Sequence, residues 1–353
     1  MNTAQGKEVE LSHTPQKMVL EKNGRDFDRI SVHPNNEDWL FTECSNELNP
    51  EGDCHVLKYN INTKQLTRYV LPDGYVYSYA SFSPNGTYIV LSRVRKHDGQ
   101  NGMVPKSEYQ GEIAILRSDG SSFRVLPIAK GHNLAPIMSE NETKIAYWRS
   151  SVERPPGSKS SLADFDIREY DLNTQHDGLF AGPYHFFEGG NSQYISENEI
   201  LLGSYGPKKH AQSMSEYQKK FNGSQVYKLR RGMEELPNPS HTNIAQARNP
   251  SADKQGNIYL EGQYPNGGST ISQLMPSGNI NYWTEPINFT NFRHLVVAPN
   301  GRYLAFVYVA EGTRYREQKS ALGLLNFDQS KWLSIFVPPL QTSVPLLVKT
   351  SAD

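Results

Sequence analysis

The sequence predicts an all-β protein, and three features predict it: a recurring tight turn, an apolar run after each turn, and a regular spacing between the copies. The clearest copy is Ser83-Pro84-Asn85-Gly86, which is followed by an expected strand at residues 87–92. Pro84 fixes φ at the first central position of the turn, and Gly86 accepts a conformation that a residue with a Cβ resists. Short apolar runs bounded by such turns are typical of strands.

Six copies of this turn can be aligned along the chain, and successive copies lie 46 to 57 residues apart. Self-similarity at such a period indicates a repeat architecture, in which each unit covers the apolar face of its neighbour. The copies are His33-Pro-Asn-Asn, Ser83-Pro-Asn-Gly, Ser139-Glu-Asn-Glu, Ser196-Glu-Asn-Glu, Ala252-Asp-Lys-Gln-Gly and Ala298-Pro-Asn-Gly.

Each turn leads into a second strand and then a third, and in most units a polar pair leads into a fourth. In the second unit these strands are Tyr88-Ile-Val-Leu, Glu112-Ile-Ala-Ile-Leu and Phe123-Arg-Val-Leu. Four antiparallel strands in each of six units predict a six-bladed β-propeller. The blades are expected at residues 26–72, 73–129, 130–180, 181–242, 243–287 and 288–338, with a lead-in at 1–25 and a tail at 339–353.

The repeated turn resembles that of the TolB-like propellers, whose WD40-like (PD40) repeats carry a Ser-Pro-Asp-Gly-type turn between the first and second strands. Asn stands in place of Asp in the best copies here, and the two middle copies lack the Pro and Gly. The resemblance covers about residues 26–338. It implies the six-bladed fold, and it does not specify a function.

The two ends of the chain leave two questions open. Either residues 17–22 or residues 344–349 could supply a strand that closes the ring of blades. The first ten residues have no apolar core and do not form a signal peptide. Either the protein is cytosolic, or it is a periplasmic or secreted protein whose leader is absent from this sequence.

Composition argues against several classes of protein. The formal net charge is −1 and the pI is about 6.8, so a nucleic-acid partner is not expected. No apolar run approaches the roughly 18 residues of a membrane span. The motifs of P-loop, dinucleotide-binding and zincin proteins and the Gly-x-Ser-x-Gly elbow of hydrolases are absent from the sequence, so no cofactor or catalytic residue is assigned.

The two cysteines both fall in the first unit, with Cys44 at the end of the second strand and Cys54 at the start of the third. Facing residues of an antiparallel pair lie about 4.5–5.5 Å apart at Cα, which is within disulfide range. The position predicts a Cys44–Cys54 disulfide and favours an oxidising compartment, while two free thiols are the alternative.

The long loops between second and third strands are basic. Those of the second, third, fourth and sixth units together carry a net charge of +7 in a chain of −1. Long loops on a rigid scaffold often carry function, and Arg and Tyr are enriched at interfaces. We therefore expect a non-catalytic module, monomeric alone, that binds an acidic partner protein, although solvated loops would have the same composition. The expected contacts are Arg93, Arg95, Lys96, Tyr109, Arg149, Arg154, Tyr205, Lys208, Lys209, Tyr217, Lys219, Lys220, Arg314, Tyr315 and Arg316.

Two alternatives place the site at the mouth of the central channel. His132, His185 and His294 each fall where a unit's first strand begins, and three imidazoles could hold a divalent metal that acts on acidic oligosaccharides. A metal-dependent lyase of this kind is known among related propellers. Alternatively, aromatic side chains could stack on a sugar or peptide without chemistry; the candidates are Tyr77, Tyr79, Tyr184, Phe186, Phe187 and Phe292.

Overall fold

The computed structural model describes residues 26–44, 54–95, 111–150, 164–240, 244–263, 268–284, 291–309, 320–335, 337 and 346–347. These residues form an all-β fold with one short α-helix, as the sequence predicts at the level of an all-β protein. None of the helices in this part of the chain has the length and apolar character of a membrane span.

The first half of the chain supplies twelve strands, and each pairs antiparallel with the next within its unit. They are β1 (Asp26–Val32), β2 (Asp38–Cys44), β3 (Cys54–Asn60), β4 (Leu66–Tyr69), β5 (Tyr75–Phe82), β6 (Tyr88–Arg95), β7 (Gly111–Arg117), β8 (Arg124–Val125), β9 (His132–Met138), β10 (Lys144–Ser150), β11 (Phe165–Asp171) and β12 (Asp177–Leu179).

The second half follows the same antiparallel pattern and contains the helix α1 (Met214–Phe221), which follows a 3-10 turn (Lys208–His210). Its strands are β13 (Ser192–Ser196), β14 (Glu199–Ser204), β15 (Gln225–Arg230), β16 (Arg248–Ala252), β17 (Ile258–Gln263), β18 (Ser269–Leu274), β19 (Ile280–Tyr282), β20 (Asn291–Val297), β21 (Tyr303–Val309), β22 (Ser320–Asn326), β23 (Lys331–Ile335) and β24 (Leu346–Leu347).

The repeated turn has the chemistry that its sequence requires. The backbone N–H of Gly86 donates to the Ser83 carbonyl at 2.9 Å, and that of Gly301 donates to the Ala298 carbonyl at 2.8 Å. Gly86 has φ of +74°, and a Cβ there would collide with the His33 ring of the preceding unit. Glycine is therefore needed both for the turn and for the close approach of the neighbouring unit.

The first strands of successive units, which we also call groups of strands, contact one another in order along the chain. The pairs in contact are β1 with β5, β5 with β9, β9 with β13, β13 with β16, and β16 with β20. The series returns to its start, because β20 and β21 contact β1. Apolar residues of adjacent sheets fill the spaces between them; one such cluster joins Trp39 and Leu57 of the first group to Ala305 and Leu322 of the last. The fold is thus held together by packing between sheet faces.

The beginning and end of the described chain are also joined by hydrogen bonds. Trp39 Nε1 donates to the Tyr303 hydroxyl at 3.0 Å, and that hydroxyl donates to the Asn36 carbonyl at 2.8 Å. The tail contributes β24, which pairs in parallel with β4 of the first sheet. Residues 344–349, one of the two segments expected to close the ring, therefore contain a strand that pairs with the first unit. The other segment, residues 17–22, lies outside the described residues.

The fourth group differs from the others, since it has three strands among the described residues. The segment that follows β15 contains Pro237 and Pro239, which cannot donate backbone hydrogen bonds to a neighbouring strand. Farther along this segment, Ser240 N donates to the Val226 carbonyl of β15 at 2.8 Å. This group instead carries the 3-10 turn and α1 between β14 and β15.

Candidate functional site

One end of the sheets carries α1 and is termed the loop face. The strands β2, β6, β10 and β14 run away from the repeated turns, so their last residues all lie at this end. The loops expected to bind a partner leave from these strand ends. Among these loops, the structure describes the whole of the segment between β14 and β15, which contains α1.

Helix α1 begins and ends at residues that stabilise helix termini. Ser213 is its N-cap, and its hydroxyl accepts from Glu216 N at 3.2 Å, while Glu216 Oε2 accepts from Gln212 N at 2.9 Å. Asn222 adopts the left-handed conformation at the C-cap, and Gly223 follows with φ of +112°. This helix was not predicted from the sequence, although Ser213-x-x-Glu216 and Asn222-Gly223 are the signals that define its ends.

The inner side of α1 fixes the helix to β15 of the fourth group. Tyr217 is fully buried, and its hydroxyl hydrogen-bonds to that of Tyr227 on β15. Its ring lies 4.6 Å from that of Phe221 and meets the Tyr205 ring edge-on at 6.3 Å. The helix is therefore held by a buried aromatic cluster.

The outer side of α1 and the preceding 3-10 turn is basic. Lys209, Lys219 and Lys220 are exposed, and we call these three the lysine patch. The Lys220 ammonium donates to the His210 carbonyl at 3.2 Å, a contact that leaves the side chain accessible. Lys208 differs from the patch because it is partly buried, forms an ion pair with Asp164 and lies 5.4 Å from the Phe187 ring.

Two other residues expected to contact a partner, Arg95 and Arg149, also lie near the loop face. Arg95 is exposed at the end of β6. Arg149 is half-buried, and its Nη2 donates to the Lys130 carbonyl at 2.8 Å. Six further residues named as partner contacts lie outside the described residues; these are Lys96, Tyr109, Arg154, Arg314, Tyr315 and Arg316.

Three residues expected to contact a partner are buried in the structure. Arg93 is 9% exposed, with its Nε 2.8 Å from Glu112 and its guanidinium 3.8 Å from the centre of the Tyr75 ring. Tyr205 accepts a hydrogen bond from Arg248, and Tyr217 is enclosed as described above. Loop membership in the sequence does not reveal burial, because the packing partners come from other strands.

A polar recess opens beside α1, at the axis around which the first strands lie. It has a volume of about 590 Å³ and is termed the α1 recess. Six first strands or their lead-in segments contribute to its wall, together with the helix. The lining includes Arg29, Tyr79, Ala135, Glu188, Asn191, Arg248, Asn249 and Phe292, together with Met214 and Gln218 of α1.

Arg248 lies at the centre of the charged groups of the α1 recess. Its Nη2 donates to the Tyr205 hydroxyl at 2.9 Å. It faces Glu261 across the β16–β17 pair, and burial raises the pKa of Glu261 to about 7 even though Arg248 opposes that shift. The side chain of Glu188 is accessible, yet the recess walls displace much of the water around it. This partial burial raises the pKa of Glu188.

A second recess of about 480 Å³ lies at the repeated turns, at the opposite end of the first strands. Arg29 lines both recesses and therefore lies between them. Arg29 is buried, and its guanidinium carbon lies 4.6 Å from the centre of the Tyr79 ring. Of the six aromatic residues considered for ligand stacking, two are half-buried, Tyr79 and Phe187. The other four are buried: Tyr77, Tyr184, Phe186 and Phe292.

The three histidines of the metal hypothesis are not brought together. No three His, Cys, Asp or Glu side chains within the described ranges are arranged to hold a metal ion. His132 is buried, which lowers its pKa to about 4, whereas His185 is exposed. His294 Nδ1 accepts from Ile30 N at 3.1 Å, and burial together with nearby Arg29 lowers its pKa well below the usual value.

The cysteines occupy the positions expected from the sequence. Cys44 and Cys54 are directly opposite residues in the β2–β3 register, at the end of the hairpin nearest the intervening loop. The side chain of Cys44 lies outside what the structure describes.

Comparison with known proteins connects this geometry to a fold. No family model matches the chain, and no curated protein matches its sequence. Among solved structures, TolB from Acinetobacter baumannii matches with a TM-score of 0.58 and 14% identity, over 88% of this chain and 63% of that one. Oligogalacturonate lyase in complex with manganese matches with a TM-score of 0.53 and 11% identity, over 88% of this chain and 77% of that one.

The β-propeller domain of the Trilobed protease from Pyrococcus furiosus matches with a TM-score of 0.51 and 10% identity, over 90% of this chain and 97% of that one. Identities this low show the fold alone. The chain has antiparallel sheets around a common axis, and the solved structures that it matches share this arrangement. Both observations define a β-propeller. More specifically, the chain has the fold of the TolB-like propellers, as the repeated turn indicated. It spans less than two thirds of the matched TolB chain.

Proposed function

We propose that the chain is a non-catalytic, six-bladed β-propeller with four strands in most blades, which binds an acidic partner protein through its loop face. The proposal of six blades is supported by the return of the series of first-strand contacts to β1. The proposal of partner binding is carried by the lysine patch. Its three lysines are exposed, and two of them lie on α1, which a buried aromatic cluster holds in place.

A rigid basic element suits recognition of an acidic surface. Ordering long side chains and loops at an interface costs free energy, and a backbone that is already fixed reduces that cost. Lys219 and Lys220 lie in the last turn of α1, where cations also interact favourably with the helix dipole. The three like charges attract an acidic partner during encounter, and this attraction weakens as salt is added.

We propose further that the protein works in a periplasm or outside the cell. This part of the proposal depends on a Cys44–Cys54 disulfide, which their facing positions in the β2–β3 hairpin favour. Disulfides persist in oxidising compartments and are rare in the cytosol.

Affinity capture from the envelope and secreted fractions of the source organism tests the partner proposal. The baits are wild type, a variant with Lys209, Lys219 and Lys220 changed to Glu, and a control with Lys64, Lys254 and Lys331 changed to Glu. The three control lysines are also exposed and lie at the end of the repeated turns. We expect one acidic protein on wild-type and control baits that is absent from the lysine-patch variant. Equal capture by all three baits would contradict the proposal.

A metal-dependent enzyme acting on acidic oligosaccharides was the alternative. The residues named for its metal are dispersed in the described structure, so no observation there favours it over partner binding.

A further inference from the structure

We propose that the α1 recess is a binding site for a small zwitterion that carries an amine and a carboxylate, such as a free amino acid or a dipeptide. The site is separate from the lysine patch, because the patch lies on the outer side of α1 and the recess lies on its inner side. The inference does not depend on partner binding.

Glu188 supplies the group that would receive the amine. Among the described residues, its carboxylate makes no hydrogen bond and no ion pair, although it lines a concave wall. Burial raises the pKa of Glu188, which means that its ionised form is poorly solvated there. An ammonium group in the recess would stabilise that ionised form by a charge-assisted hydrogen bond.

Arg248 and Arg29 supply the positive side of the same recess. Arg248 uses Nη2 on the Tyr205 hydroxyl, and a guanidinium has further N–H groups to donate to a carboxylate. Arg29 holds a second positive charge against the Tyr79 ring. Glu261 is directly opposite Arg248 in the β16–β17 register and has a pKa of about 7, so near neutral pH it offsets the charge of Arg248 only in part.

The remaining wall suits a small polar molecule more than an apolar one. Gln218 of α1 is exposed and lines the recess, as do Asn191 and Asn249, which hydrogen-bond to each other. Tyr79 contributes an aromatic face, although Arg29 covers part of it. The volume of about 590 Å³ lies within the range of about 300–1,000 Å³ that small-molecule sites occupy.

Calorimetric titration of the purified chain tests this inference. The probes are the twenty standard L-amino acids, dialanine as a dipeptide, and ethylamine and propionate as single-charge halves. We expect at least one zwitterion to bind about tenfold or more tightly than either half. Comparison of L-alanine with dialanine distinguishes the two sources of the chemistry, because the amine and carboxylate lie farther apart in the dipeptide.

Two variants separate the recess from the lysine patch. Glu188→Gln is expected to weaken the best zwitterion about tenfold while leaving partner capture unchanged, and Lys219→Glu is expected to leave zwitterion affinity unchanged. If no zwitterion binds at millimolar concentration, if propionate alone binds as tightly, or if Glu188→Gln has no effect, the inference is wrong. Circular dichroism of each variant verifies that the fold is intact.

Discussion

At the scale of single residues, the buried carboxyl of Glu261, opposite Arg248 of the α1 recess, makes the stability of the fold depend on pH. Glu261 is 4% exposed, and its carboxyl group is held near Arg248, Asn249 and Ser269. Burial is the dominant cause that raises its pKa to about 7, and these polar neighbours oppose the shift. A carboxyl with a raised pKa keeps its proton in the folded state at pH values where the unfolded chain has already lost it.

This pKa predicts that Glu261 destabilises the fold as pH rises. The folded state binds more protons than the unfolded state between about pH 4.5 and 7, so the contribution of Glu261 to the free energy of unfolding falls across that window. A shift of this size corresponds to about 3 kcal/mol in total. Glu261→Gln should therefore gain stability relative to wild type from pH 5 to pH 8, as measured by urea unfolding. Parallel pH profiles for the two proteins would contradict this prediction.

The residue scale is also where the sequence was least informative. Tyr205, Tyr217 and Arg93 looked like interface residues because of their type and their position in or beside long loops. Their burial depends on partners from other strands, such as Tyr227 and Glu112. The α1 recess could not be predicted either, since its wall combines side chains from separate sheets with α1.

At the scale of elements, the strands were predictable and the helix was not foreseen. The Pro-Asn-Gly turns determine local backbone geometry, so their sequence locates the strands on either side. Helix α1 has only eight residues and lies within a loop, where the expected structure was irregular. Pro237 and Pro239 could have indicated that the fourth unit lacks a regular outer strand.

The cap of α1 gives a direct test at this scale. Ser213→Ala removes the hydroxyl that accepts from Glu216 N, and loss of an N-cap typically costs about 1 kcal/mol. We expect faster amide hydrogen exchange in residues 214–221. Ser215→Ala is the matched control, because Ser215 is exposed on the same helix and alanine favours helix. Equal exchange in wild type and Ser213→Ala would contradict the capping assignment.

At the scale of the whole molecule, the fold depends on contacts between its first and last groups of strands. Trp39 is fully buried, and its Nε1 has the Tyr303 hydroxyl as partner. The same hydroxyl donates to the Asn36 carbonyl. One side chain of the last group therefore holds two polar groups of the first.

Tyr303→Phe should show the importance of this junction. The substitution leaves the buried Trp39 N–H without its acceptor, and an unsatisfied buried polar group costs about 1–3 kcal/mol. The matched control is Tyr69→Phe, which removes a single hydrogen bond from the Tyr69 hydroxyl to the Ser118 carbonyl. We expect the larger loss of unfolding free energy in Tyr303→Phe. A smaller loss than in the control would argue against this junction as a major stabilising contact.

The proposed compartment can be examined through the cysteines. A Cys44–Cys54 disulfide closes a loop of about ten residues and should contribute roughly 2–3 kcal/mol. We expect the oxidised protein to react with a thiol-alkylating reagent only after reduction and unfolding, as measured by mass spectrometry. Cys54→Ser, with a single thiol, serves as the control for labelling. Double alkylation of the unfolded but unreduced protein would show that no disulfide is present.

The central claim is that the lysine patch on α1 and the preceding 3-10 turn recognises an acidic protein. The measurement that tests it most directly is titration of the captured partner into wild type, the triple lysine-to-glutamate variant and the turn-end control at low and high salt. The account predicts that the lysine-patch variant binds about tenfold or more weakly at low salt, that the difference narrows at high salt, and that the control matches wild type. Equal affinity of the lysine-patch variant and wild type at low salt would contradict it.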